Sequence, residues 1–494
     1  MKNRKTVLVY TTTGLSLPHL SIEKEVLDKN LDGYDRRLLL KCNSELRSCY
    51  LNPTHNIIAC ALCKQRTKKY IELAFDFDKI FTLDRQYDQI EVDFDSIKDI
   101  SDLMEYSYKG IEIGRGIGSS MISIKRNYKL NLEDYKSYII DLLTQSKALV
   151  DQIDKIVKAE NITDVFLFNG RFFEHYPILA YCRLHGINFH THEKGANFSK
   201  YQFIKNNTVH SIDYRKEQIE AVWNNFGPEK EKVANAWYRN KKDGKITSEI
   251  NFTTDQNDSE LPTGFDKYKH NITIFNSSED EFKSIKEWQH TLYKDQCEII
   301  IKVCRELEND KSLRFYLRFH PNLKGLAYGD LARLEDARLS NLVILRPEST
   351  VSSYQLMLSS DKVLSFGSRT SIESAYWGIP SVIYGRSFYE SLESLYNPSS
   401  FVELVGLLRD KNLNNKNGVD LLKAALFLQE RGHKLDYADI KSKNEVFYKG
   451  KSISDSFTKA IPYLNLSMSE LKLWNNYFKI LKGRSLSIKD IKAL

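Results

Sequence analysis

Short apolar runs alternate with amphipathic helical stretches along most of this chain, a pattern typical of α/β proteins with buried strands. The first run, Thr6–Tyr10, ends in the polar turn Thr11–Gly14 and precedes a predicted helix over 21–30 and a strand within 34–41. From Leu132 to Glu160 apolar residues recur at helical spacing, which predicts one long amphipathic helix. We therefore expect a β-turn-α-β arrangement whose strand ends gather at one edge of a sheet.

The same alternation restarts in the second half of the chain. Ile272–Phe275 is a predicted strand, and the following segment is predicted to be a helix with Phe282, Ile285, Trp288 and Leu292 on one side. A polar segment with Pro and Gly precedes this half and is typical of a linker. The sequence therefore predicts two doubly wound Rossmann-like domains. The first domain spans 1–255, a linker spans 256–270, the second domain spans 271–410, and a helical C-terminal extension spans 411–494.

Composition narrows the class of protein. The 494 residues are 41% hydrophobic and 28% charged, as in ordinary globular proteins, and no uncharged apolar run reaches the roughly 18 residues of a membrane span. The apolar patch near the N-terminus turns polar after a few residues, which favours a buried strand over a signal peptide, so we expect a cytoplasmic protein. The net charge of +7 fits anionic substrates or an anionic membrane face, and the sequence has no basic stripe that would predict nucleic-acid binding.

A glycine–serine turn between a strand and a helix is the most informative segment. Gly367 and Ser368 break the preceding strand, and Thr370, Ser371 and Glu373 open the next helix. A helix N-terminus of this kind favours anions, because free N–H groups and hydroxyls point at the ligand. Glu373 is a candidate for binding ribose hydroxyls. The alternative is ordinary turn chemistry, with Ser371 and Glu373 as cap residues.

Positive and polar residues follow other predicted strands of the same half. Arg318, His320 and Lys324 come after one strand, with Pro321 beside the histidine, and would neutralise charge on a phosphate as a bond breaks. A serine-rich turn follows the strand at 272–275 and adds hydroxyl donors, Ser277 and Ser278. These residues predict that the second domain binds a nucleotide-linked donor.

The first half offers candidate groups for an acceptor and for proton transfer. Glu193 and His19 lie at predicted strand-end turns, where a carboxylate or an imidazole can take a proton from a hydroxyl. His320 is a further candidate catalytic group. Asn169 and Arg171 follow another strand and are candidate acceptor-binding residues, as is Gly14. The alternative for Glu193 and Arg171 is a structural ion pair at the surface.

Four of the seven cysteines fall within 22 positions. In a cytosolic chain a disulfide framework is not expected, and the Cys-x-x-Cys spacing of the last pair is typical of a metal site. A structural zinc ion is therefore one hypothesis, and small buried core residues are the other. The four cysteines are Cys42, Cys49, Cys60 and Cys63.

Several segments together resemble bacterial capsule and surface-polysaccharide glycosyltransferases of the GT-B fold, in particular the Kdo- and sialyltransferase-like group. In the second half these are RFHP at Arg318–Pro321 and the stretch Phe366–Tyr389. In the first half they are FNGR at Phe168–Arg171, HEKG at His192–Gly195 and the cysteine-bearing segment at Cys42–Cys63. The resemblance implies two Rossmann-like domains facing across a cleft.

The resemblance also implies roles for particular residues. His320 and Pro321, with Ser368 and its neighbours, would hold the phosphate of a CMP-linked donor. The acidic motif that supplies the base in that group has no clear match here, so the base remains open between Glu193 and His19. The resemblance further implies a metal-independent, inverting transfer that needs no cofactor for catalysis.

Three functions stay open at this point. The first is transfer of a sugar from a CMP- or UDP-linked donor to a growing capsule, O-antigen or similar glycan on a lipid-linked or oligosaccharide acceptor, with possible peripheral contact with the inner membrane face. The second is a polyol-phosphate transferase or a nucleotide-sugar epimerase on the same scaffold. The third is a non-catalytic nucleotide-sugar-binding component of polysaccharide assembly.

Overall fold

The computed structural model describes residues 4–84, 90–245, 256, 260–325 and 329–454. Strands alternate with helices along these ranges, as the apolar pattern predicts. The strands are β1 Thr6–Thr11, β2 Arg36–Lys41, β3 Lys79–Thr82, β4 Asp164–Phe168, β5 Asn188–Lys194, β6 Lys200–Lys205, β7 His270–Phe275, β8 Leu313–Arg318, β9 Leu342–Leu345, β10 Lys362–Ser365, β11 Ser381–Ile383, β12 His433–Lys434, β13 Ala438–Ile440, β14 Val446–Tyr448 and β15 Lys451–Ser452.

The helices differ widely in length, and within the described ranges none is both long and apolar enough to cross a membrane. The helices are α1 Leu17–Asn30, α2 Ile57–Thr67, α3 Ile100–Glu105, α4 Ile113–Lys125, α5 Lys136–Glu160, α6 Tyr176–His185, α7 Ile212–Asn225, α8 Lys230–Lys242, α9 Glu279–Lys283, α10 Gln296–Glu306, α11 Asp330–Asp336, α12 Ser353–Leu358, α13 Thr370–Tyr376, α14 Phe401–Arg409 and α15 Val419–Glu430.

The chain forms two compact units. Unit 1 comprises the described residues of 1–124, 130–209 and 432–494. Its sheet has the order β12-β6-β5-β4-β1-β2-β3, in which β1 to β5 are parallel and β6 and β12 are antiparallel to their neighbours. The carboxyl ends of β1, β4 and β5 therefore lie side by side, as expected for a ligand-binding edge.

The core of unit 1 covers both faces of β1. All six residues of this strand are buried, as expected for a central parallel strand. Leu8 and Tyr10 pack in the cluster that contains α5, whereas Val7 and Val9 pack in the cluster that contains α1. This two-residue period places helices on both faces of the sheet, which makes unit 1 doubly wound.

Unit 2 comprises 125–129 and the described residues of 210–431. Its sheet is parallel throughout, with the order β11-β10-β7-β8-β9. Ile272 and Ile274 of β7 pack against α10 and α14, and Phe275 packs on the other face with Met357 of α12. Both units are thus Rossmann-like α/β sheets, and the predicted fold class is confirmed.

The central position of β7 defines the ligand-binding edge of unit 2. The end of β7, Phe275, is paired with Arg318 of β8 on one side and with Ser365 of β10 on the other. The chain leaves β7 for β8 in one direction and reaches β10 in the other, so the strand order reverses here. In open α/β sheets such a reversal leaves a crevice beyond the carboxyl ends of the strands, and ligands bind there.

The observed unit boundaries differ from the predicted domain boundaries. The predicted first domain ran to 255, but α7 and α8 belong to unit 2, because Trp223 and Trp237 pack with Phe427 of α15 in one apolar cluster. Within the predicted linker, Phe265 contacts the Tyr316 ring at 5.0 Å between centroids, so this segment packs on unit 2. The polar composition of 256–270 predicts a linker, but the contact between Phe265 and Tyr316 holds this segment on the sheet of unit 2.

The C-terminal extension was predicted to be helical, and this is only partly correct. α14 and α15 are helices, but β12 to β15 follow them in unit 1. The buried Glu25 carboxylate of α1 accepts hydrogen bonds from the N–H groups of Asp436, Tyr437 and Ala438, which fixes this segment on α1. The predicted capping box at Ser467–Glu470 lies outside the described residues.

The predicted helix through Phe282 and Leu292 is wrong. α9 ends at Lys283, a short 3-10 turn covers Lys286–Trp288, and α10 begins only at Gln296. The Trp288 indole N–H donates to the His210 carbonyl oxygen at 2.8 Å, a tertiary contact that the helical spacing could not indicate. Tertiary packing overrides local periodicity in this segment.

Candidate functional site

Two adjoining cavities lie in unit 2 beyond the carboxyl ends of β7, β8 and β10. The larger, about 290 Å³, is here called the arginine cavity, and its lining includes Arg215, Trp288, Arg369, Arg386, Phe388 and Arg431. The smaller, about 140 Å³, is here called the glutamate cavity, and its lining includes Phe275, Asn276, Tyr354, Met357, Thr370 and Glu373. Both are lined by three residues, here called the shared wall: His320, Ser368 and Arg369.

The turn after β10 requires a glycine. Gly367 has a φ of +87°, and a Cβ at this position would lie 2.7 Å from the Phe282 ring and 2.8 Å from the Arg386 carbonyl oxygen. The Tyr389 hydroxyl donates to the Gly367 carbonyl oxygen and fixes the turn. Among the described residues, the N–H groups of Gly367 and Ser368 have no acceptor, so both are available to an anion at the shared wall.

The first turn of α13 differs from the predicted anion site. The Thr370 N–H donates to Ser368 Oγ at 3.4 Å and the Ser371 N–H to the Ser368 carbonyl oxygen at 3.2 Å, so these groups are used within the chain. The Ser371 hydroxyl also donates to the Ser368 carbonyl oxygen, and Ser371 is fully buried away from both cavities. Thr370 lines the glutamate cavity, and its Oγ1 is buried without a hydrogen-bond partner.

His320 is held as a neutral hydrogen-bond donor. Its backbone N–H donates to Asn276 Oδ1 at 2.8 Å, and its Nδ1 accepts from the Asn322 N–H at 3.1 Å. Because Nδ1 is an acceptor, the proton of the neutral ring is on Nε2. Burial, followed by the charges of Arg369 and Arg318, lowers the pKa of His320 to about 4. At neutral pH the ring at the shared wall is therefore a neutral imidazole with its proton on Nε2.

Other predicted donor residues have different positions. Arg318 is 2% exposed, and its guanidinium donates to the Arg346 and Ser349 carbonyl oxygens, so it mainly fixes the loop after β9 while also lining the glutamate cavity. Pro321 lines the glutamate cavity. Lys324 is exposed and is not among the residues that line either cavity.

Both predicted serines of the turn after β7 line the arginine cavity. Ser277 Oγ donates to the Phe366 carbonyl oxygen at 3.0 Å, and Ser278 Oγ donates to Asp280 at 2.6 Å. The Ser277 bond holds the turn after β7 against the turn after β10, whereas the Ser278 bond lies within the start of α9. Both serines thus line the cavity, and their hydroxyls also stabilise the segments that form its walls.

Glu373 lies where a ribose-binding carboxylate was predicted. It is 5% exposed, lines the glutamate cavity and accepts a hydrogen bond from the Tyr354 hydroxyl. Met357 and Phe275 supply apolar surface in the same cavity. The glutamate cavity therefore combines one carboxylate, one phenol and apolar surface with the cationic side chains of Lys241, Arg318 and Arg369, a mixture that suits a nucleoside joined to a phosphate.

Most residues of the arginine cavity were not predicted from the sequence. Arg215 comes from α7, Arg431 follows α15, and Arg386 follows β11, so their approach depends on the packing of distant elements. Arg386 lies within the segment 366–389, one of those on which the family resemblance rests, but no pattern in the sequence predicts a role for it. Trp288 was assigned to the face of a helix that does not form.

In unit 1 the structure brings together three predicted residues at the ends of β1, β4 and β5. The Asn169 side-chain amide donates to Glu193 Oε2 at 2.7 Å, and His19 Nδ1 lies 3.6 Å from Glu193 Oε1. The side chains of His19 and Glu193 are 25% and 18% exposed, so both are accessible to a ligand. Asn169 fixes the carboxylate, as expected of a group that positions a base.

Further polar groups at this edge were not predicted. Thr12 Oγ1 lies 2.8 Å from His175 Nε2, and the buried Glu23 carboxyl accepts from the hydroxyls of Thr11 and Thr13. Burial raises the pKa of Glu23 to about 7 and lowers that of His175 to about 3. These groups make the turn after β1 rigid, and only the threonines carried a signal in the sequence.

Two predicted acceptor-binding residues have structural roles. A Cβ at Gly14 would lie 2.4 Å from the Cys63 carbonyl oxygen, so this glycine allows the turn to pack on α2. The Arg171 guanidinium donates to the hydroxyls of Ser119 and Ser123 of α4.

The four clustered cysteines line one small cavity in unit 1. Within the described ranges, no three of their sulfur atoms lie within 4.8 Å of one another. Burial raises the pKa of Cys42 to about 11 and that of Cys63 to about 12, which favours neutral thiols over the thiolates that bind zinc. The arrangement is not a preformed tetrahedral site, and the structural zinc ion stays a prediction.

Comparison with known proteins gives distant structural neighbours. No protein-family model and no curated protein matches the sequence. A solved Thermosulfurimonas dismutans KpsC, described as a beta Kdo 2,4 transferase, is 16% identical over 54% of this chain and 80% of its own, with a TM-score of 0.35. A UDP-GlcNAc 2-epimerase from Neisseria meningitidis, bound to UDP-GlcNAc, is 9% identical over 85% and 97%, with a TM-score of 0.30. At these TM-scores neither neighbour indicates a function, so function is inferred from the side chains.

Proposed function

We propose that this chain is a glycosyltransferase in which unit 2 binds a nucleotide-sugar and unit 1 supplies the base. The observation that supports this proposal is the composition of the shared wall. There a neutral imidazole N–H, a guanidinium and two backbone N–H groups meet at the strand-order reversal of a parallel sheet, beside a cavity that contains a carboxylate. This combination suits a phosphate linked to a nucleoside.

In the proposed donor complex the nucleoside occupies the glutamate cavity. Glu373 and Tyr354 would bind ribose hydroxyls, and Phe275 and Met357 would pack against the base. The phosphate next to the ribose would lie at the shared wall. We propose a CMP- or UDP-linked sugar as the donor, following the sequence resemblance.

The same wall would stabilise the leaving group. When the bond between the sugar and the phosphate breaks, negative charge grows on the phosphate oxygen that departs. The His320 Nε2–H and the Arg369 guanidinium donate to charge that develops at that position, and fixed donors need no reorganisation during the reaction. Side chains would thus supply the positive charge, in line with the metal-independent mechanism that the resemblance implies.

Glu193 would be the base. Its carboxylate takes the proton of the attacking acceptor hydroxyl while that oxygen bonds to the sugar carbon and the nucleotide phosphate leaves, which inverts the configuration in one step. Asn169 holds the carboxylate from one side at 2.7 Å. The proposed acceptor is a lipid-linked or oligosaccharide chain of a surface polysaccharide.

The test has two parts. CMP, UMP, UDP and GDP are compared for their effect on the melting temperature of the full chain, since a ligand at 100 times its Kd contributes about 2.7 kcal/mol. Sugar nucleotides that contain the most stabilising of these nucleotides are then assayed for nucleotide release, with and without oligosaccharide acceptors. Glu193→Gln should retain the nucleotide Kd and lose roughly 100- to 10,000-fold in turnover. Glu445→Gln, an exposed carboxylate in unit 1, is the matched control.

Three outcomes would contradict the proposed function, and two of them would indicate a different one. If no nucleotide raises the melting temperature, donor binding in unit 2 is refuted. Conversion of free nucleotide-sugar without acceptor would indicate the epimerase alternative. Binding without turnover of any donor, unchanged by Glu193→Gln, would indicate a nucleotide-sugar-binding component of polysaccharide assembly.

A further inference from the structure

A further cavity in unit 2, of about 770 Å³, is lined by residues of α7 and α15 and is here called the α7–α15 groove. Ile219 and Glu220 of α7 and Val419 and Asp420 of α15 contribute to its lining, and two loops complete it. Small-molecule sites in proteins have volumes of about 300–1,000 Å³, so this groove has the size of a ligand site.

The groove adjoins the candidate donor site. Phe388 lines both the groove and the arginine cavity. The loop after β11 contributes Arg386 and Ser387 to the arginine cavity and, a few residues later, Ser391 and Ser394 to the groove. The two cavities therefore share a wall, and an extended ligand that leaves the donor site has the groove beside it.

The charges that line the groove are balanced. Three lysines and three carboxylates contribute to the lining within the described ranges. Lys423 Nζ lies 2.7 Å from a Glu220 carboxylate oxygen, and Lys216 Nζ lies 3.3 Å from Glu390. A balanced lining is complementary neither to a phosphate nor to a cation, so it favours an uncharged ligand.

Uncharged polar side chains in the groove offer hydrogen bonds in both directions. Ser391 and Asn417 line the groove and are exposed. Within the part of the chain that the structure describes, neither side chain forms a hydrogen bond. A hydroxyl and a carboxamide can each donate and accept, so these two groups suit a ligand that has many hydroxyls.

Apolar surface lies in the same groove and is held in a fixed position. Val419 is 51% exposed in the first turn of α15, and Phe388 adds an aromatic ring. The loop before Val419 is closely packed, because a Cβ at Gly418 would lie 2.6 Å from Asp420 Oδ1 and 2.7 Å from Ser394 Oγ. Apolar surface beside uncharged donors and acceptors matches a sugar ring, which has C–H groups on its faces and hydroxyls around its edge.

We propose that the α7–α15 groove is a saccharide subsite, which binds uncharged sugar residues of an oligosaccharide chain beside the donor site. This inference rests on the proposed function, since a growing polysaccharide supplies sugar residues beyond the one that reacts. The sugar hydroxyls would bond to Ser391 and Asn417, and the C–H faces would pack on Val419.

The test measures oligosaccharide binding to the full chain. An array of oligosaccharides from bacterial capsules and lipopolysaccharides, with maltoheptaose and chitohexaose, is probed first, and the best ligand is titrated by calorimetry. We expect an uncharged oligosaccharide to bind with a Kd of about 1 mM or tighter. Asn417→Ala should weaken it roughly two- to tenfold, by loss of one hydrogen bond. Val419→Glu should weaken it at least about fivefold, because it removes apolar contact and unbalances the charge.

The matched control is Val402→Glu. Val402 is 80% exposed in the first turn of α14 and is not among the residues that line the groove, so this variant should leave the affinity unchanged. The inference is overturned if no oligosaccharide binds more tightly than about 1 mM, or if all three variants have the same affinity as the wild type. An equal loss for Val402→Glu also overturns it. So does dimerisation that only Val419→Glu abolishes, because a second copy of the chain would then occupy the groove.

Nucleotide binding separates this inference from the proposed function. Neither Asn417 nor Val419 lines the arginine cavity or the glutamate cavity, so their variants should retain the nucleotide Kd. A chain that a nucleotide stabilises but that binds no oligosaccharide would have the donor site without the saccharide subsite. A chain that binds an oligosaccharide through Val419 but binds no nucleotide would retain the subsite, and the proposed function would fail.

Discussion

His320→Asn should weaken nucleotide binding without disturbing the turn that carries it. The asparagine side-chain oxygen can accept from the Asn322 N–H, as His320 Nδ1 does at 3.1 Å, because Asn is a good cap residue. It cannot replace the Nε2–H. A hydrogen bond to a charged acceptor contributes about 1.5–3 kcal/mol, so the Kd should rise roughly 10- to 150-fold.

The pH dependence of this effect tests the protonation state. The His320 pKa of about 4 keeps the ring neutral across neutral pH. The ratio of the variant Kd to the wild-type Kd should therefore stay constant between about pH 6 and 8, and taking the ratio cancels the ionisation of the phosphate itself. If an imidazolium with an ordinary pKa of about 6.5 were the donor, the ratio would fall by up to about tenfold per pH unit above that value.

The assay is calorimetry on the full chain with the nucleotide that most raises its melting temperature. His270→Asn is the matched control, because His270 begins β7 at the opposite end of the strand from the shared wall. A loss of less than about threefold for His320→Asn, or an equal loss for His270→Asn, would refute the role of the imidazole.

Other changes test separate parts of the molecule. Gly367→Ala should cost at least about 1–2 kcal/mol of unfolding free energy in urea, from the positive φ alone, whereas Gly406→Ala in α14, with open space for a Cβ, should be neutral or stabilising. Glu373→Gln should reduce the preference for a ribonucleotide over its 2′-deoxy form, and an unchanged preference would remove Glu373 from the ribose site. Because burial raises the folded-state pKa of Glu23 to about 7, its contribution to stability is present below about pH 4.5 and is lost as the pH rises through 7. Glu23→Gln should reduce the pH slope of the unfolding free energy in urea without removing it, because burial also raises the pKa of Glu174 and of Glu279 to about 7. Metal analysis tests the predicted zinc ion: one zinc per chain supports it, and none removes it.

The sequence predicted the sheets better than it predicted the walls of the site. β1, β7 and β10 are short, continuous apolar runs that end in polar turns, and α5 has a regular apolar face. These signals are local, so one sequence suffices to detect them. His320, Ser368 and Glu373 can be predicted as candidate site residues because they lie in the turns, or in the first helical turn, that come after such strands.

The missed parts depend on contacts between distant segments. α4 contains three glycines, which local propensity disfavours in a helix, yet a Cβ at Gly114 would lie 1.7 Å from the Leu103 carbonyl oxygen and one at Gly118 would lie 2.5 Å from the Met104 side chain. Close packing selects glycine there. Arg215 and Arg431 reach one cavity only through the packing of α7 on α15.

The direction of a hydroxyl is equally invisible in a sequence. Ser368 and Ser371 belong to the same turn, but Ser371 bonds inward to the Ser368 carbonyl oxygen and is fully buried. Only Ser368 lines the cavities. A serine-rich turn therefore predicts where a candidate site lies but not which of its side chains face the cavities.

The assignment of α7, α8 and α15 to unit 2 determines how this protein should be divided for expression. A fragment cut at 271–410 would lack all three helices and would leave the apolar partners of Trp237 and Phe427, such as Ile372 and Phe388, exposed to solvent. Such a fragment should aggregate. A fragment over 210–431 keeps this cluster together, lacks only the short segment 125–129 of unit 2, and is the better starting point for calorimetry or crystallisation of this unit.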